Sequence, residues 1–332
     1  MKMHISPFKL LTVLAIGLFP YLVKAAGDYS IEKKRTITKS YTVSSADKLS
    51  IVNSFGTVTV ATWDKNEIRV DVEIVVHAAT EEKAQAMMDE IKVGDHQSNQ
   101  EISFKTDIGN MGKGKGNDGE ERRFYVDYKI MMPEKNPLFV ENSFGKTVIP
   151  DFTGTANITS KFGELTTGDL VSNPVIRVEF GKALIGNLSN ADVVFKYNSK
   201  STVGGLAGHS KVRVEFCSQV SLTITNNLTD LGLYESYSTI RLKVPENLSA
   251  KFDIHTNFGS FDNKTKYNID EAKDDESSGP KFDKDFSGTT GTGNAKIKIK
   301  SSFGTVKMVN INDKSSDKDE SDEDKDNEKV NL

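Results

Sequence analysis

The stretch "VENSFGKTVI" (Val140–Ile149) decides the fold, because its central phrase returns along the chain at a nearly constant interval. The stretch "IVNSFGTVTV" (Ile51–Val60) carries the same Asn-Ser-Phe-Gly, and Phe303 lies in a late echo of it. Between these, an aromatic residue recurs about every 18 positions, at Phe144, Phe162, Phe180, Tyr197, Phe216, Tyr237 and Phe258. A step this regular predicts an architecture of stacked copies of one small unit.

Each unit ends in a stretch that alternates with a period of two. Ile176, Val178 and Phe180 alternate with Arg177 and Glu179, which is typical of a strand with one buried face. On this alternation the aromatic residue is inward, so the rings are expected to stack as a ladder inside the molecule. A glycine or another small residue follows each ring, and we expect the chain to bend sharply there because glycine accepts positive φ.

A unit of about 18 residues without a helix is too short for a parallel crossover through a helix. The sequence therefore predicts a right-handed parallel β-solenoid over residues 136–311, an all-β fold, with one strand-rich coil per unit. The last coil is expected at Ala295–Val309, after a polar insertion at about 270–294. A β-sandwich is the alternative, since antiparallel strands show the same alternation.

The residue before each ring is predicted to face outward, and its charge alternates from unit to unit. In order, these residues are Lys161, Glu179, Lys196 and Glu215. In a parallel stack they would be cross-strand neighbours of opposite sign, which helps to fix the register. This interpretation requires Glu179 to lie between Lys161 and Lys196.

The regular spacing breaks between Phe55 and Phe144. Residues 26–135 are interpreted as a β-rich N-terminal elaboration that covers the open end of the solenoid, where bare strand edges would aggregate. It includes one helix at about 81–93, with Thr80 as its cap and acidic residues in its first turn. Three strands are expected in this region, at 67–77, 101–108 and 123–132.

The first residues of the chain indicate an exported protein. Lys2 and Lys9 precede the apolar run Leu10–Val23, which predicts a signal peptide over residues 1–25. No comparable apolar run follows, so no transmembrane segment is expected in the mature chain. Residues 312–332 are interpreted as a disordered acidic tail. The expected location is the periplasm, the outer cell surface or the extracellular space.

The charge and the cysteine count argue against a nucleic-acid partner and exclude a disulfide within the chain. The formal net charge of the 332 residues is −4, and much of the acidity lies in the tail. A nucleic-acid partner is not expected, because such a protein needs a basic face. Cys217 is the one cysteine, so no disulfide can form within the chain.

Individual motifs give little sign of chemistry. The stretch Gly109–Gly116 approaches a phosphate-binding loop but lacks the Ser or Thr that holds magnesium, so a hairpin loop is expected. Cys217 has no recognisable base beside it. The histidines lack metal-ligand spacing, and they are His4, His77, His96, His209 and His255. We therefore predict no catalytic, cofactor-binding or metal-binding residue.

A carbohydrate-active enzyme, either a polysaccharide lyase or a hydrolase on a β-helix scaffold, is the alternative function. Its candidate residues would be Arg177, Glu179, Arg213 and Glu215. These residues recur with the repeat, which suits ladder pairs better than one asymmetric catalytic cluster.

Two parts of the sequence resemble a known family. They are "KLSIVNSFGTVTVATWDKNEIRVDVEIVVHAATEEKAQAMMDEIKV" (Lys48–Val93) and the Phe-Gly repeats from Phe144 to Phe303. They resemble the secreted bacterial putative adhesins, a family of unknown function with an adhesin-like β-solenoid. The resemblance implies a non-enzymatic cell-envelope protein, adhesin-like or structural, that binds a glycan or a cell-surface protein without a cofactor.

Overall fold

The computed structural model describes residues 31–111, 123–272 and 282–313, and nearly all regular structure within them is β. Over these residues 23 strands form one continuous sheet, which confirms the all-β prediction at the level of fold class. One helix, α1 (Glu81–Glu90), is present in the same ranges. The strands are β1 (Ile31–Thr42), β2 (Lys48–Ser54), β3 (Val58–Trp63), β4 (Glu67–Ala78), β5 (Lys92–Ser98), β6 (Glu101–Asp107), β7 (Arg123–Pro133), β8 (Leu138–Ser143), β9 (Lys146–Ile149), β10 (Phe152–Lys161), β11 (Glu164–Thr167), β12 (Leu170–Glu179), β13 (Lys182–Ser189), β14 (Asp192–Lys196), β15 (Lys200–Glu215), β16 (Gln219–Ser236), β17 (Thr239–Val244), β18 (Ala250–Asn257), β19 (Ser260–Asn263), β20 (Asp270–Glu271), β21 (Asp283–Thr290), β22 (Ala295–Ser302) and β23 (Thr305–Asn310).

Strands from consecutive repeats pair in parallel. Lys161 at the end of β10 is opposite Ser143 of β8 on one side and Glu179 of β12 on the other. A second row of strands follows the turns, where Leu165 of β11 lies between Thr147 of β9 and Ala183 of β13. Each of these repeats therefore contributes one segment to each row, and in β15 and β16 a single long strand supplies both segments.

The core is made by alternate residues of these strands. Ile176 and Val178 of β12 are fully buried, and so are their partners Ile158 and Val193 on the neighbouring strands. Burying a Val or Ile side chain contributes about 1.5–3 kcal/mol, so stacked repeats share one continuous apolar interior. The period-two alternation in the sequence correctly identified this interior.

The C-terminal repeat does not lie at the end of the array. Strand β22 pairs with both β16 and β18, so Ser302 is opposite Ser236 on one side and Asn257 on the other. Strand β23 likewise lies between β17 and β19. The prediction of a final coil at Ala295–Val309 finds the correct strands, but these strands are inserted between two earlier repeats.

Part of the predicted polar insertion at 270–294 is regular structure. Strand β21 pairs antiparallel with the free edge of β18, and the short β20 pairs with β21. The predicted insertion thus contains two strands in its described part. The backbone groups of the β18 edge need partners, and pairing supplies them even where the side chains are polar.

At the N-terminal end the strands change direction. β2 continues the parallel array, with Ser54 opposite Ser143, whereas β4 pairs antiparallel with β1 and β7. Helix α1 packs near β4 through the buried Ala84 and Met88, and the Thr80 hydroxyl accepts a hydrogen bond of 3.3 Å from the backbone N–H of Lys83. The helix ends before the predicted limit because the chain enters β5 at Lys92.

Three sequence predictions lie outside the described residues, wholly or in large part. They are the signal peptide at 1–25, residues 112–116 of the Gly109–Gly116 loop, and the acidic tail at 312–332 from residue 314 onward. In the ranges that the structure does describe, no helix has the length and apolar character that a membrane crossing requires.

Candidate binding surface

Ten aromatic rings stack face to face in a single column. Neighbouring ring centroids are 4.5–5.1 Å apart, and neighbouring ring planes differ by at most 15°. Nine intervals at the inter-strand spacing make the column roughly 43 Å long. In spatial order, this aromatic column consists of Phe55, Phe144, Phe162, Phe180, Tyr197, Phe216, Tyr237, Phe303, Phe258 and Phe282.

The column lies on the outside of the molecule, so the prediction of an internal ladder is wrong. Phe180, for example, is 48% exposed. The stacking itself is confirmed, but the backbone turns each ring outward. Phe180 has a φ of +55°, in the left-handed region, which ends the alternation that buries Ile176 and Val178. A period-two pattern assumes extended backbone, and it fails at the first residue that leaves it.

Left-handed backbone makes this an unusual place for aromatic residues. Nine members of the column, all except Phe282, have φ between 49° and 61°. For a residue with a Cβ atom this region costs roughly 1–2 kcal/mol, and glycine would avoid that cost. Each stacked pair contributes roughly 0.5–1.5 kcal/mol, so stacking about offsets the strain. The ring faces cover one another, and the column presents ring edges to solvent as a narrow apolar ridge.

The glycine after each ring has a different role from the one predicted. Gly145, Gly163 and Gly181 are not among the residues with positive φ. A Cβ atom built on Gly163 would lie 2.0 Å from the backbone oxygen of Gly145, and one on Gly181 would lie 2.1 Å from that of Gly163. Glycine is therefore required because successive backbones approach each other closely at the corner.

Farther along the array, small polar side chains replace these glycines and bond to the adjacent repeat. The Oδ1 atom of Asn198 accepts a hydrogen bond of 3.2 Å from the N–H of Gly181, and Ser238 Oγ accepts one of 3.0 Å from the N–H of Cys217. Cys217 itself donates to the carbonyl of Glu215 at 3.4 Å. Burial raises the pKa of the Cys217 thiol, which favours the neutral form over a reactive thiolate.

The Asn of the Asn-Ser-Phe-Gly phrase also has a structural role. Asn142 is fully buried, and its Nδ2 donates to the carbonyl of Gly56 at 3.0 Å. Asn53 is buried beside it and donates to the carbonyl of Val126 at 2.9 Å. Buried amides of this kind satisfy backbone carbonyls at the corner, which apolar side chains could not do.

A ladder of alternating charges runs beside the aromatic column. Glu179 is opposite Lys161 on one strand and Lys196 on the next, as the sequence predicted. Lys196 Nζ lies 2.7 Å from Glu215 Oε2. These side chains are partly exposed, so each pair contributes roughly 0–1 kcal/mol and acts mainly on register.

The residues considered for polysaccharide cleavage belong to the same face. Arg177 Nη1 lies 3.5 Å from Glu179 Oε1, and Arg213 Nε lies 3.8 Å from Glu215 Oε1. The structure therefore arranges these four side chains as two ion pairs, one on β12 and one on β15, which are separated by β14.

Three histidines pair with carboxylates and not with Cys217. His255 pairs with Asp285 at 2.8 Å, and His209 pairs with Asp230, both on the exposed surface. His77 lies 3.8 Å from Glu32. Among the described residues no group of three or more histidine, cysteine, aspartate or glutamate side chains is arranged to hold a metal ion.

A cleft of about 450 Å³ surrounds Trp63, between the turns at 62–66 and 133–136. The indole Nε1 donates to the carbonyl of Glu67 at 2.7 Å, and the Lys65 ammonium lies 4.7 Å from the ring centroid. The polar edge of the indole and one of its faces are thus already in contact with the protein. The cleft offers a ligand less of the ring than an open aromatic platform would.

Comparison with known proteins gives only distant overlaps. No family model matches the sequence, and no curated protein matches it. A putative cell adhesion protein from Clostridium sporogenes overlaps 84% of this chain and 100% of its own, with 11% identity and a TM-score of 0.22. A putative lipid binding protein from Parabacteroides distasonis overlaps 82% of this chain and 96% of its own, with 11% identity and a TM-score of 0.34. A putative adhesin from Bacteroides fragilis overlaps 83% of this chain and 97% of its own, with 12% identity and a TM-score of 0.27. These values are too low to transfer a ligand or an activity to this chain.

Proposed function

We propose that the protein is a non-enzymatic, exported cell-envelope module that binds a partner through its aromatic column, as an adhesin or structural binding protein does. The observation that carries this proposal is the column itself. Nine of its rings, all except Phe55, are about half exposed. Nine of its rings, all except Phe282, occupy left-handed backbone that favours glycine. A contiguous exposed apolar strip of this length is typical of an interaction surface.

The scaffold of the proposed module is a right-handed parallel β-solenoid over residues 136–311. Two rows of strands paired in parallel one repeat apart support this proposal. In this interpretation residues 26–135 cover the N-terminal end, and the strands β1 and β4 protect its edge by antiparallel pairing. Export follows from the predicted signal peptide.

Repetition favours binding over catalysis. An enzyme concentrates different groups at one place, whereas this surface presents the same ring at each step of the sheet. The ring faces are covered by stacking, and a sugar ring would need an open face. The exposed edges suit an extended apolar surface, so a cell-surface protein is the proposed partner of the column rather than a glycan.

The test is binding of the purified protein to arrayed cell-surface proteins and glycans. In the column variant Phe162, Phe180 and Phe216 are replaced by Asn, which tolerates left-handed backbone and removes the apolar ring. The control variant replaces Val171, Val175 and Leu184 by Ser. These residues are about as exposed as the rings but lie outside the column.

The proposal expects the column variant to lose binding while the control variant keeps it, with both variants folded by urea titration. Unchanged binding by a folded column variant would overturn the proposal. Turnover of any arrayed polysaccharide would favour the carbohydrate-active alternative and overturn the non-enzymatic assignment.

A further inference from the structure

A second surface feature lies on the sheet where β16, β22 and β18 run side by side, and each of these strands leads into a ring of the aromatic column. A groove of about 500 Å³ opens there over Gly232, and we name it the Gly232 groove. Its side walls are Asp230 and Tyr234 of β16, Lys296 and Lys298 of β22, and Lys251 and Asp253 of β18.

The backbone does not require glycine at the floor of this groove. Gly232 is in the middle of a strand and is not among the residues with positive φ. A Cβ atom there would meet only the ring of Tyr234, at 3.3 Å, whereas one on Gly163 would lie 2.0 Å from backbone. Glycine inside a strand often marks a bulge, a tight bend or the close approach of a ligand or another backbone. Gly232 lies at no register shift and its Cβ would meet no other backbone, so the approach of a ligand is the explanation we pursue.

Positive charge surrounds the groove, although the chain as a whole is acidic. Gly232 lies between Lys211 of β15 and Lys298 of β22. The next outward residues on these two strands are Arg213 and Lys300, on either side of Tyr234. The lining itself holds three lysines, Lys251, Lys296 and Lys298, and two carboxylates, Asp230 and Asp253, and Lys298 Nζ lies 3.3 Å from Asp253 Oδ2. Arg213, outside the lining, lies 3.8 Å from Glu215, so the positive charge of the groove comes from its lysines.

The mixture of groups restricts the chemistry of a ligand. Lysine ammonium groups attract an anion, and Lys211 holds its charge 5.8 Å from the Tyr234 ring centroid. Asp230 pairs with His209 and Asp253 with Lys298, and each carboxylate keeps lone pairs that can accept hydrogen bonds from hydroxyl groups. Both carboxylates would repel a ligand that is anionic throughout. Tyr234 lines the groove and adds apolar ring surface there, although Lys211 lies over part of the ring. A ligand must therefore combine negative charge, hydroxyl donors and an apolar face.

We propose that the Gly232 groove binds an acidic saccharide that carries carboxylate groups. A uronate residue supplies a carboxylate for the lysines, hydroxyl groups for the aspartates and an apolar ring face for Tyr234. A phosphate-rich polymer supplies charge without the hydroxyl donors. This inference goes beyond the proposed function, because its ligand class and its residues differ from those of the aromatic column.

The insertion of the C-terminal repeat creates the site. Lys296 and Lys298 come from β22, which lies between β16 and β18. In a stack that followed the order of the sequence, β18 would take that place and present Lys251 and Asp253 instead. The groove gains its excess of positive charge from the inserted strand.

The experiment is isothermal titration with oligogalacturonate, with the neutral oligogalactan as the matched ligand. We expect the acidic oligosaccharide to bind and the neutral one not to bind. Replacing Lys296 and Lys298 by Gln should weaken binding by about tenfold or more, because each lost ammonium removes a charge-assisted hydrogen bond. Gly232→Val should abolish binding by filling the groove, since valine is otherwise favourable in a strand.

The matched control replaces two exposed lysines at the other end of the sheet, Lys105 and Lys129, by Gln. This control should bind as the wild type does, and urea titration checks that all variants are folded. Equal binding of the neutral ligand, or of inorganic polyphosphate, would overturn the saccharide assignment, as would unchanged binding by the folded groove variants. The column variant should keep this binding, which separates failure here from failure of the proposed function.

Discussion

The ring of Tyr237 stacks on that of Phe303, with centroids 4.9 Å apart and planes 1° apart, although the two residues are distant in the sequence. The other face of Phe303 meets Phe258, the next ring in chain order after Tyr237. The C-terminal repeat thus separates two repeats that are adjacent in the sequence. It is an interior part of the array, with Ile297 and Ile299 buried.

Removing the C-terminal repeat should therefore destabilise the protein strongly. In a stack that followed the order of the sequence, the last repeat would lie at one end and its loss would cost less stability. A chain that ends at Asn294 lacks β22 and β23 and leaves four strands without their partners. We expect a lower urea midpoint and a smaller m-value, because less surface remains buried. A chain that ends at Asp313 keeps every described strand and serves as the control. Equal midpoints for the two truncated chains would contradict the interior position of the repeat.

Phe180 tests the balance between stacking and strain in the aromatic column. Phe180→Ala removes two stacked contacts, with Phe162 and Tyr197, and should destabilise the fold by about 1–3 kcal/mol. Because the ring is half exposed, this is less than the roughly 3–5 kcal/mol expected for a buried phenylalanine.

The matched variant is Phe180→Gly. Inside a strand, alanine is normally more stable than glycine, but at a φ of +55° the order should reverse by about 1 kcal/mol. Urea titration of both variants gives the difference. If alanine is the more stable of the two at this position, the strain argument fails.

The sequence predicted the interior better than the surface. The alternation at Ile176 and Val178 and the sign change at Glu179 both follow from extended strands in register, and both were predicted correctly. The outward direction of the Phe180 side chain was not predicted, because one residue with left-handed backbone reverses its side chain without changing the alternation of apolar residues in the sequence. The insertion of β22 carries no local signal, since pairing with β16 depends on the path of the whole chain. The Gly232 groove depends on that insertion and was missed for the same reason.

Gly163 should tolerate no side chain. The Cβ atom of Gly163→Ala would lie 2.0 Å from the backbone oxygen of Gly145, so two repeats must move apart. We expect a loss of about 3 kcal/mol in the free energy of unfolding. Gly232→Ala is the matched control, because its Cβ atom meets only the Tyr234 ring at 3.3 Å, and it should change stability by less than about 0.5 kcal/mol. Similar losses for the two variants would contradict the close-approach explanation.

Glu235 occupies an inward position next to the inserted repeat, between Val214 and Ser301 on the neighbouring strands. It is only 4% exposed. Its carboxylate accepts a hydrogen bond of 2.7 Å from the N–H of Ser238 and another from Ser301 Oγ. Burial raises the pKa of Glu235 above its ordinary value of 4.5, and the hydrogen bonds only partly oppose this shift.

This carboxyl group should make stability depend on pH. Between pH 4.5 and its raised pKa in the folded protein, the folded state binds more protons than the unfolded state. The free energy of unfolding contributed by Glu235 therefore falls as pH rises through that window and is constant below it. Glu235→Gln keeps the shape and a hydrogen-bond acceptor but removes the titration, so its stability relative to the wild type should increase with pH above 4.5. Urea titrations of both proteins across the window measure this difference. Glu164→Gln is the control, because the Lys182 and Lys146 ammonium groups outweigh the effect of burial and lower the pKa of Glu164. The contribution of Glu164 therefore changes only below pH 4.5 and is constant across the window. A difference between Glu235→Gln and the wild type that stays constant with pH would show that Glu235 does not titrate abnormally.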